Sequence, residues 1–134
     1  MSTIATTAGI RCLLSDLRTR LEEAGLSPET CGTVEIVLAE ALNNVAEHAY
    51  PPDSPGPVHV RVVIHQEGLS CELTDAGRAL PGLVVPAGTP PDTEGPSSSL
   101  PEGGFGWLLI HSLTTDLDYD HRNGRNRLSL TISA

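Results

Sequence analysis

The run Val37-Leu38-Ala39-Glu40-Ala41-Leu42-Asn43-Asn44-Val45-Ala46-Glu47-His48-Ala49-Tyr50 reads as part of one long helix, with apolar residues at Val37, Leu38, Ala41, Leu42, Val45 and Ala49. Glu40, Asn44 and His48 stand along the margin of that face, four residues apart and nearly stacked at 3.6 residues per turn. An amide one turn from a carboxylate suits a hard cation beside a group that orients or deprotonates a nucleophile. Glu, Asn and His on a helix margin also read as a solvated edge, and alone the stretch favours that reading. Two glycine motifs further along reverse it.

Before this run, Ser27-Pro28 supplies an N-cap and a proline at the first helical position, and Val34 extends the apolar face. Upstream, Ile10, Leu13, Leu14, Leu17 and Leu21 recur at helical spacing, so roughly 8–24 is an amphipathic helix ending at Gly25. Downstream, the proline-rich turn from Pro51 to Pro57 stops the long helix. Val58, Val60, Val62 and Ile64 then alternate with His59, Arg61, Val63 and His65, the period of a half-buried strand. Glu67-Gly68 turns the chain into a second strand, where Leu69, Cys71 and Leu73 share a face and Asp75 follows in phase.

Residues 81–102 are rich in proline and glycine and include Ser97-Ser98-Ser99; by composition they form a long mobile loop, which in a small domain is usually functional or disordered. Trp107, Leu108, Leu109, Ile110 and Leu113 fit a short helix. Leu117 and Tyr119 begin a strand, Asn123-Gly124 makes a hairpin turn, and Leu128, Leu130 and Ile132 complete the last strand. The expected class is α+β, a two-layer sandwich with a mostly antiparallel sheet and helices on one face.

Size and composition fit one domain, 1–134: the 134 residues can bury a core but not two. Mean hydropathy is -0.05, and no apolar run approaches the about 20 residues that span a bilayer. The start, Met1-Ser2-Thr3-Ile4, lacks a signal-peptide pattern. Cys12, Cys31 and Cys71 are odd in number and widely spaced, which suits reduced thiols in a cytoplasmic protein. A net charge of -9 argues against a nucleic-acid groove. It is compatible with ATP, because a divalent cation and backbone N–H groups can supply local positive potential.

The two glycine motifs carry the remaining chemistry. Asp75-Ala76-Gly77-Arg78-Ala79 leaves a strand end, where a carboxylate can accept a hydrogen bond from an exocyclic amine such as adenine N6; a plain Asp-x-Gly turn is the bland alternative. Gly103-Gly104-Phe105-Gly106-Trp107 opens a helix, where backbone N–H groups and the helix dipole favour phosphate, although flexible loops are glycine-rich anyway.

Taken in order, helical Glu-x-x-x-Asn, strand-Asp-x-Gly, a long loop and Gly-x-Gly before a helix resemble the ATP-binding fold shared by gyrase, Hsp90, histidine kinases and MutL, the GHKL superfamily. Glu40-Ala41-Leu42-Asn43-Asn44 with His48-Ala49-Tyr50, together with Gly104-Phe105-Gly106-Trp107-Leu108-Leu109-Ile110, resemble the bacterial anti-sigma-factor serine/threonine kinases of partner-switching pathways. The resemblance runs from the first helix to the last strand.

That resemblance implies that Asn44 binds the Mg2+ bridging the ATP phosphates and that Glu40 acts as base or orienting group for the attacking hydroxyl. Asp75 recognises adenine, with Gly77 giving room and Ala79 beside it, and Gly104, Phe105, Gly106 and Trp107 line the phosphate end beneath an 81–102 lid. It further implies a STAS-domain anti-anti-sigma protein as phosphoacceptor, a sigma factor or other regulator as competing partner, and leaves a homodimer open, with no nucleic acid and no membrane. Glu102 stands where relatives often carry a basic residue; Arg78 is a substitute to consider, although a solvent-exposed arginine is the favoured reading. Arg125-Asn126-Arg127 replaces the threonines of many relatives, leaving Ser129 as the nearest hydroxyl for adenine. His48 is expected to pack or cap, and the other histidines show no ligand spacing. The competing function is a nucleotide-gated module that sequesters a partner without phosphotransfer.

Overall fold

The computed structural model describes residues 1–87 and 104–133. Helix α1, Thr7–Glu23, starts where the Thr6 hydroxyl accepts the Gly9 N–H at 3.0 Å, and it ends at Gly25, whose φ of 88° only glycine adopts cheaply. Helix α2, Pro28–Asn44, starts on Ser27, whose hydroxyl accepts the Thr30 N–H at 3.1 Å, with Pro28 in the first turn as expected. The long helix is not α-helical throughout. Val45–Ala49 form a π-helical turn before the chain breaks at Tyr50. The short helix α3, Gly104–Leu113, buries Trp107 and Ile110.

One antiparallel sheet carries these helices. Its strands are β1 (Ser2–Ile4), β2 (Pro57–His65), β3 (Gly68–Asp75), β4 (Asp116–Arg122) and β5 (Arg125–Ser133), in the order β1-β2-β3-β5-β4. The edge strand β1 was not anticipated from the sequence. It pairs Ser2 with His59 and Ile4 with Pro57, and the Met1 ammonium donates to the Val60 carbonyl at 2.9 Å. The β4–β5 hairpin turns at Asn123 and Gly124, with φ of 53° and 72° as a primed turn demands.

Period-2 alternation puts Val58 and Val60, Leu69, Cys71 and Leu73, and Leu128, Leu130 and Ile132 on the helix side, all buried. They meet Leu13, Leu17 and Leu21 of α1 and Val34, Val37, Leu38 and Leu42 of α2 in one core. The alternation fails only at the end of β2, where Ile64 is 47% exposed despite sharing phase with Val60. Burial pushes the Cys71 thiol up to about 12. Arg18 bonds both Glu22, at 2.8 Å, and Glu35, at 2.7 Å, bridging α1 to α2. Of the expected 81–102 lid, only 81–87 fall within the described residues; they include a 3-10 turn, Pro81–Leu83. Glu102 lies outside them.

Candidate functional site

Where α2 passes into its π-helical turn, the helix stands off the sheet and leaves a cavity of about 420 Å3, within the usual range for a small-molecule site. Ala41, Asn44, Val45, His48 and Ala49 form the helical wall. Leu73 and Asp75 of β3, Tyr119 of β4, and Asn126 and Leu128 of β5 form the floor, with Arg78 to Pro81, Pro86 and Trp107 around the rim. Val45 and Ala49, read from the sequence as core positions, are half-buried and face this space.

Asp75 stands at the end of β3, in phase with Leu73 and opposite Asn126 in the register. Its Oδ1 accepts the Gly77 N–H at 2.8 Å and the Asn126 amide at 2.8 Å. No hydrogen bond to Oδ2 is formed among the described residues. Gly77 is required by packing: a Cβ there would collide with the carbonyl and side chain of Ala49. The loop is tied to the helix end at three further points. The Arg78 N–H donates to the Ala49 carbonyl at 2.7 Å, the Arg78 guanidinium donates to the His48 carbonyl at 3.1 Å, and the Ala76 N–H donates to the Tyr50 hydroxyl at 2.9 Å. Tyr50 in turn donates to the Pro57 carbonyl at 2.6 Å, and burial raises its phenol pKa.

Asn44, also on the cavity wall, has a buried amide nitrogen with no hydrogen-bond partner among the described residues. Such a donor costs about 1–3 kcal/mol when left unpaired, and buried polar groups seldom stay so without a purpose. With neither end of the amide anchored to a described residue, it can turn either its nitrogen to a phosphate oxygen or its oxygen to a cation. Among the described residues no cluster of three His, Cys, Asp or Glu could hold a metal by itself. A cation here would therefore take most of its ligands from phosphates and water, which is the habit of magnesium.

The helical row does not act as a unit. Asn44 and His48 line the cavity, whereas Glu40 lies against α3, so close that a Cβ on Gly106 would come within 2.6 Å of its Oε2. Gly106 is thus the residue that lets the start of α3 sit beside the Glu40 carboxylate. Ala79 and Trp107 line the cavity, and Gly104 and Phe105 stand in the first turn of α3.

Two expectations need correction, at Ser129 and His48. Ser129 has the opposite parity to Leu128 and Leu130, so it lies on the far face of the sheet and cannot meet the cavity. Arg78 is exposed, as its reading favoured, and its guanidinium donates to the His48 carbonyl beside the Asp75 loop, so it is not the substitute for a phosphate-binding base. The His48 ring neither packs nor caps: it is exposed at the cavity wall, and its carbonyl makes the useful bonds.

Asn126 went unrecognised as a site residue. It is 6% exposed and donates to Asp75 Oδ1 and to the carbonyls of Gly77, at 3.3 Å, and Arg78, at 2.9 Å. Its oxygen accepts from the Tyr119 hydroxyl at 2.5 Å and from His121 Nδ1 at 2.8 Å. The Tyr119 hydroxyl also accepts the Leu80 N–H at 2.9 Å. The available signal was a polar residue in phase with Leu128, Leu130 and Ile132.

Comparison with known proteins identifies the family of the chain. The family described as the histidine kinase-like ATPase domain matches residues 4–132. Serine-protein kinase RsbW of Oceanobacillus iheyensis is 28% identical over 115 residues, covering 85% of this chain and 71% of the relative. Serine/threonine-protein kinase BtrW of Bordetella bronchiseptica is 31% identical over 99 residues, covering 74% of this chain and 68% of the relative. A crystal structure of the RsbU and RsbW domains of a Mycobacterium tuberculosis protein superposes over 100% of this chain with a TM-score of 0.65 at 18% identity, a likeness of fold; the match takes up 32% of that chain.

Proposed function

This chain belongs to the histidine kinase-like ATPase domain family, and from that premise we propose that it is an ATP-dependent protein serine/threonine kinase of a bacterial partner-switching pathway. One observation carries the reading of the site. A single cavity is lined by a carboxylate with one oxygen held twice and the other unbonded among the described residues, and by a buried amide nitrogen with no partner among those residues. The first suits the exocyclic amine of adenine, and the second suits the phosphate end of the same molecule.

In this reading Asp75 holds adenine, and Asn44 and the N-terminal turn of α3 at Gly104–Trp107 hold the phosphates. Magnesium, when bound, neutralises phosphate charge, and Asn44 would offer it an amide oxygen. Glu40, beside Gly106, orients the acceptor hydroxyl and takes its proton. The acceptor oxygen bonds to the γ-phosphorus as the bond to the β–γ bridging oxygen breaks, leaving ADP. Positioning and charge neutralisation do most of the work in such transfers. The acceptor is a serine or threonine of a STAS-domain anti-anti-sigma protein, and a sigma factor or equivalent regulator competes for the same kinase. Residues 81–102 serve as the nucleotide lid. The setting is cytoplasmic, in keeping with three free cysteines; among the described residues no helix is long and apolar enough to cross a membrane.

The test incubates the purified chain with γ-labelled ATP, magnesium and the STAS-domain protein encoded nearest to it. Label on a serine or threonine of that partner supports the proposal. ATP binding with no label transferred would leave a nucleotide-gated module that sequesters without phosphorylating.

A further inference from the structure

We propose that Asn126 is a positioning residue that makes the cavity selective for a base bearing an exocyclic amine. The inference rests on reading the cavity as a nucleotide site and adds the device that sets its base preference. The orientation of the Asn126 amide follows from its neighbours. One end faces three acceptors: Asp75 Oδ1 and the carbonyls of Gly77 and Arg78. That end must be the NH2. The other end faces the Tyr119 hydroxyl, whose own oxygen already accepts the Leu80 N–H, and His121 Nδ1, so it must be the oxygen. Both are then donors, and His121 carries its proton on Nδ1.

This arrangement leaves Asp75 little freedom. Its Oδ1 is held by two donors, Asn126 and the Gly77 N–H, so the carboxylate cannot rotate without breaking both bonds. Oδ2 remains the oxygen presented to a ligand. An ionised carboxylate oxygen only accepts, so it rewards an amine and opposes a carbonyl at the same place on the base. A threonine at position 126 could donate one hydrogen at most and could not span Asp75, the Gly77–Arg78 carbonyls and the β4 side chains together. The asparagine also ties the 75–80 loop to the β4–β5 hairpin, so the carboxylate is aimed from both sides.

The test compares the affinity of the full chain for ATP and for purine riboside triphosphate, which lacks the amine and is otherwise the same. The parent should bind ATP more tightly by about tenfold or more, the usual worth of one hydrogen bond to a charged group. In Asn126→Ala the carboxylate keeps only its Gly77 donor and gains freedom to turn about that one bond, and the ratio should fall below about threefold, beyond any common loss for both nucleotides. Tyr119→Phe removes a donor to the Asn126 oxygen while keeping the ring, and should lower the ratio in the same direction. A parental ratio in either folded variant overturns the proposal, whatever happens to absolute affinity, because a merely structural role weakens both nucleotides alike. If Asn126→Ala does not fold, Tyr119→Phe decides alone. Equal binding of the two nucleotides by the parent, or binding of neither, overturns the nucleotide reading itself, and the inference falls with it.

Discussion

Replacing Asp75 by asparagine separates recognition from architecture. The Gly77 N–H and the Asn126 NH2 both require an acceptor at the present Oδ1 position. Asparagine meets that demand by placing its oxygen there, which forces its NH2 into the Oδ2 position. A ligand amine would then face a donor where it had met a carboxylate. Loss of a hydrogen bond to a charged group costs about 1.5–3 kcal/mol, so ATP affinity should fall roughly 10- to 150-fold. The fold should lose far less. Both donors keep an oxygen partner, and only the charge-assisted part of two bonds disappears, about 1 kcal/mol. Calorimetric titration with ATP, paired with denaturant unfolding of the nucleotide-free protein, reads both quantities. ATP affinity within threefold of the parent in a folded Asp75→Asn protein would refute the reasoning and reduce Asp75 to a turn residue.

Other substitutions probe the remaining corners. Asn44→Ala removes a buried donor that has no described partner, so unfolding free energy should hold or rise by up to about 1–3 kcal/mol while Mg-ATP affinity drops more than about tenfold; a clear loss of stability in denaturant would make the amide structural. Glu40→Gln should keep nucleotide affinity but slow phosphotransfer by about 100- to 10,000-fold, measured by single-turnover labelling of the partner, and transfer at the parental rate would exclude Glu40 as the base. Burial holds the Cys71 thiol at about 12, above its ordinary 9.0. Its contribution to stability is therefore complete below about pH 9 and drains as pH climbs toward 12, since the unfolded chain ionises first. At pH 8 iodoacetamide should modify exposed Cys12 quickly and Cys71 only in denaturant, as peptide mass mapping would report.

What could be read in advance tracks how local its cause is. The starts of α1 and α2 were legible because Ser27-Pro28 and the spaced leucines act within one or two turns. The position of Asp75 was legible because strand parity carries it from Leu69 through Cys71 and Leu73 to the cavity. Strand β1 was not: Ser2-Thr3-Ile4 is too short for alternation to register, and it is held by backbone pairing to β2. The π-helical turn left no trace either, since Val45 to Ala49 fits an α-helical pattern equally well. Its end is stabilised from elsewhere, by Arg78 capping the carbonyls of His48 and Ala49. Strand parity also held the two readings that were missed, Asn126 facing inward with Leu128 and Ser129 facing outward. The threonines that many relatives carry on this strand pointed to a hydroxyl, Ser129, and away from a buried amide.

The proposed function requires that the cavity between Asp75 and Asn44 hold the nucleotide. A crystal structure of the chain with magnesium and a non-hydrolysable ATP analogue tests that most directly. The adenine amine should lie within hydrogen-bond distance of Asp75 Oδ2, with Oδ1 still held by Gly77 and Asn126, and the phosphates at Asn44 and the first turn of α3. Adenine bound elsewhere on the molecule, or phosphates out of reach of Asn44, would contradict it.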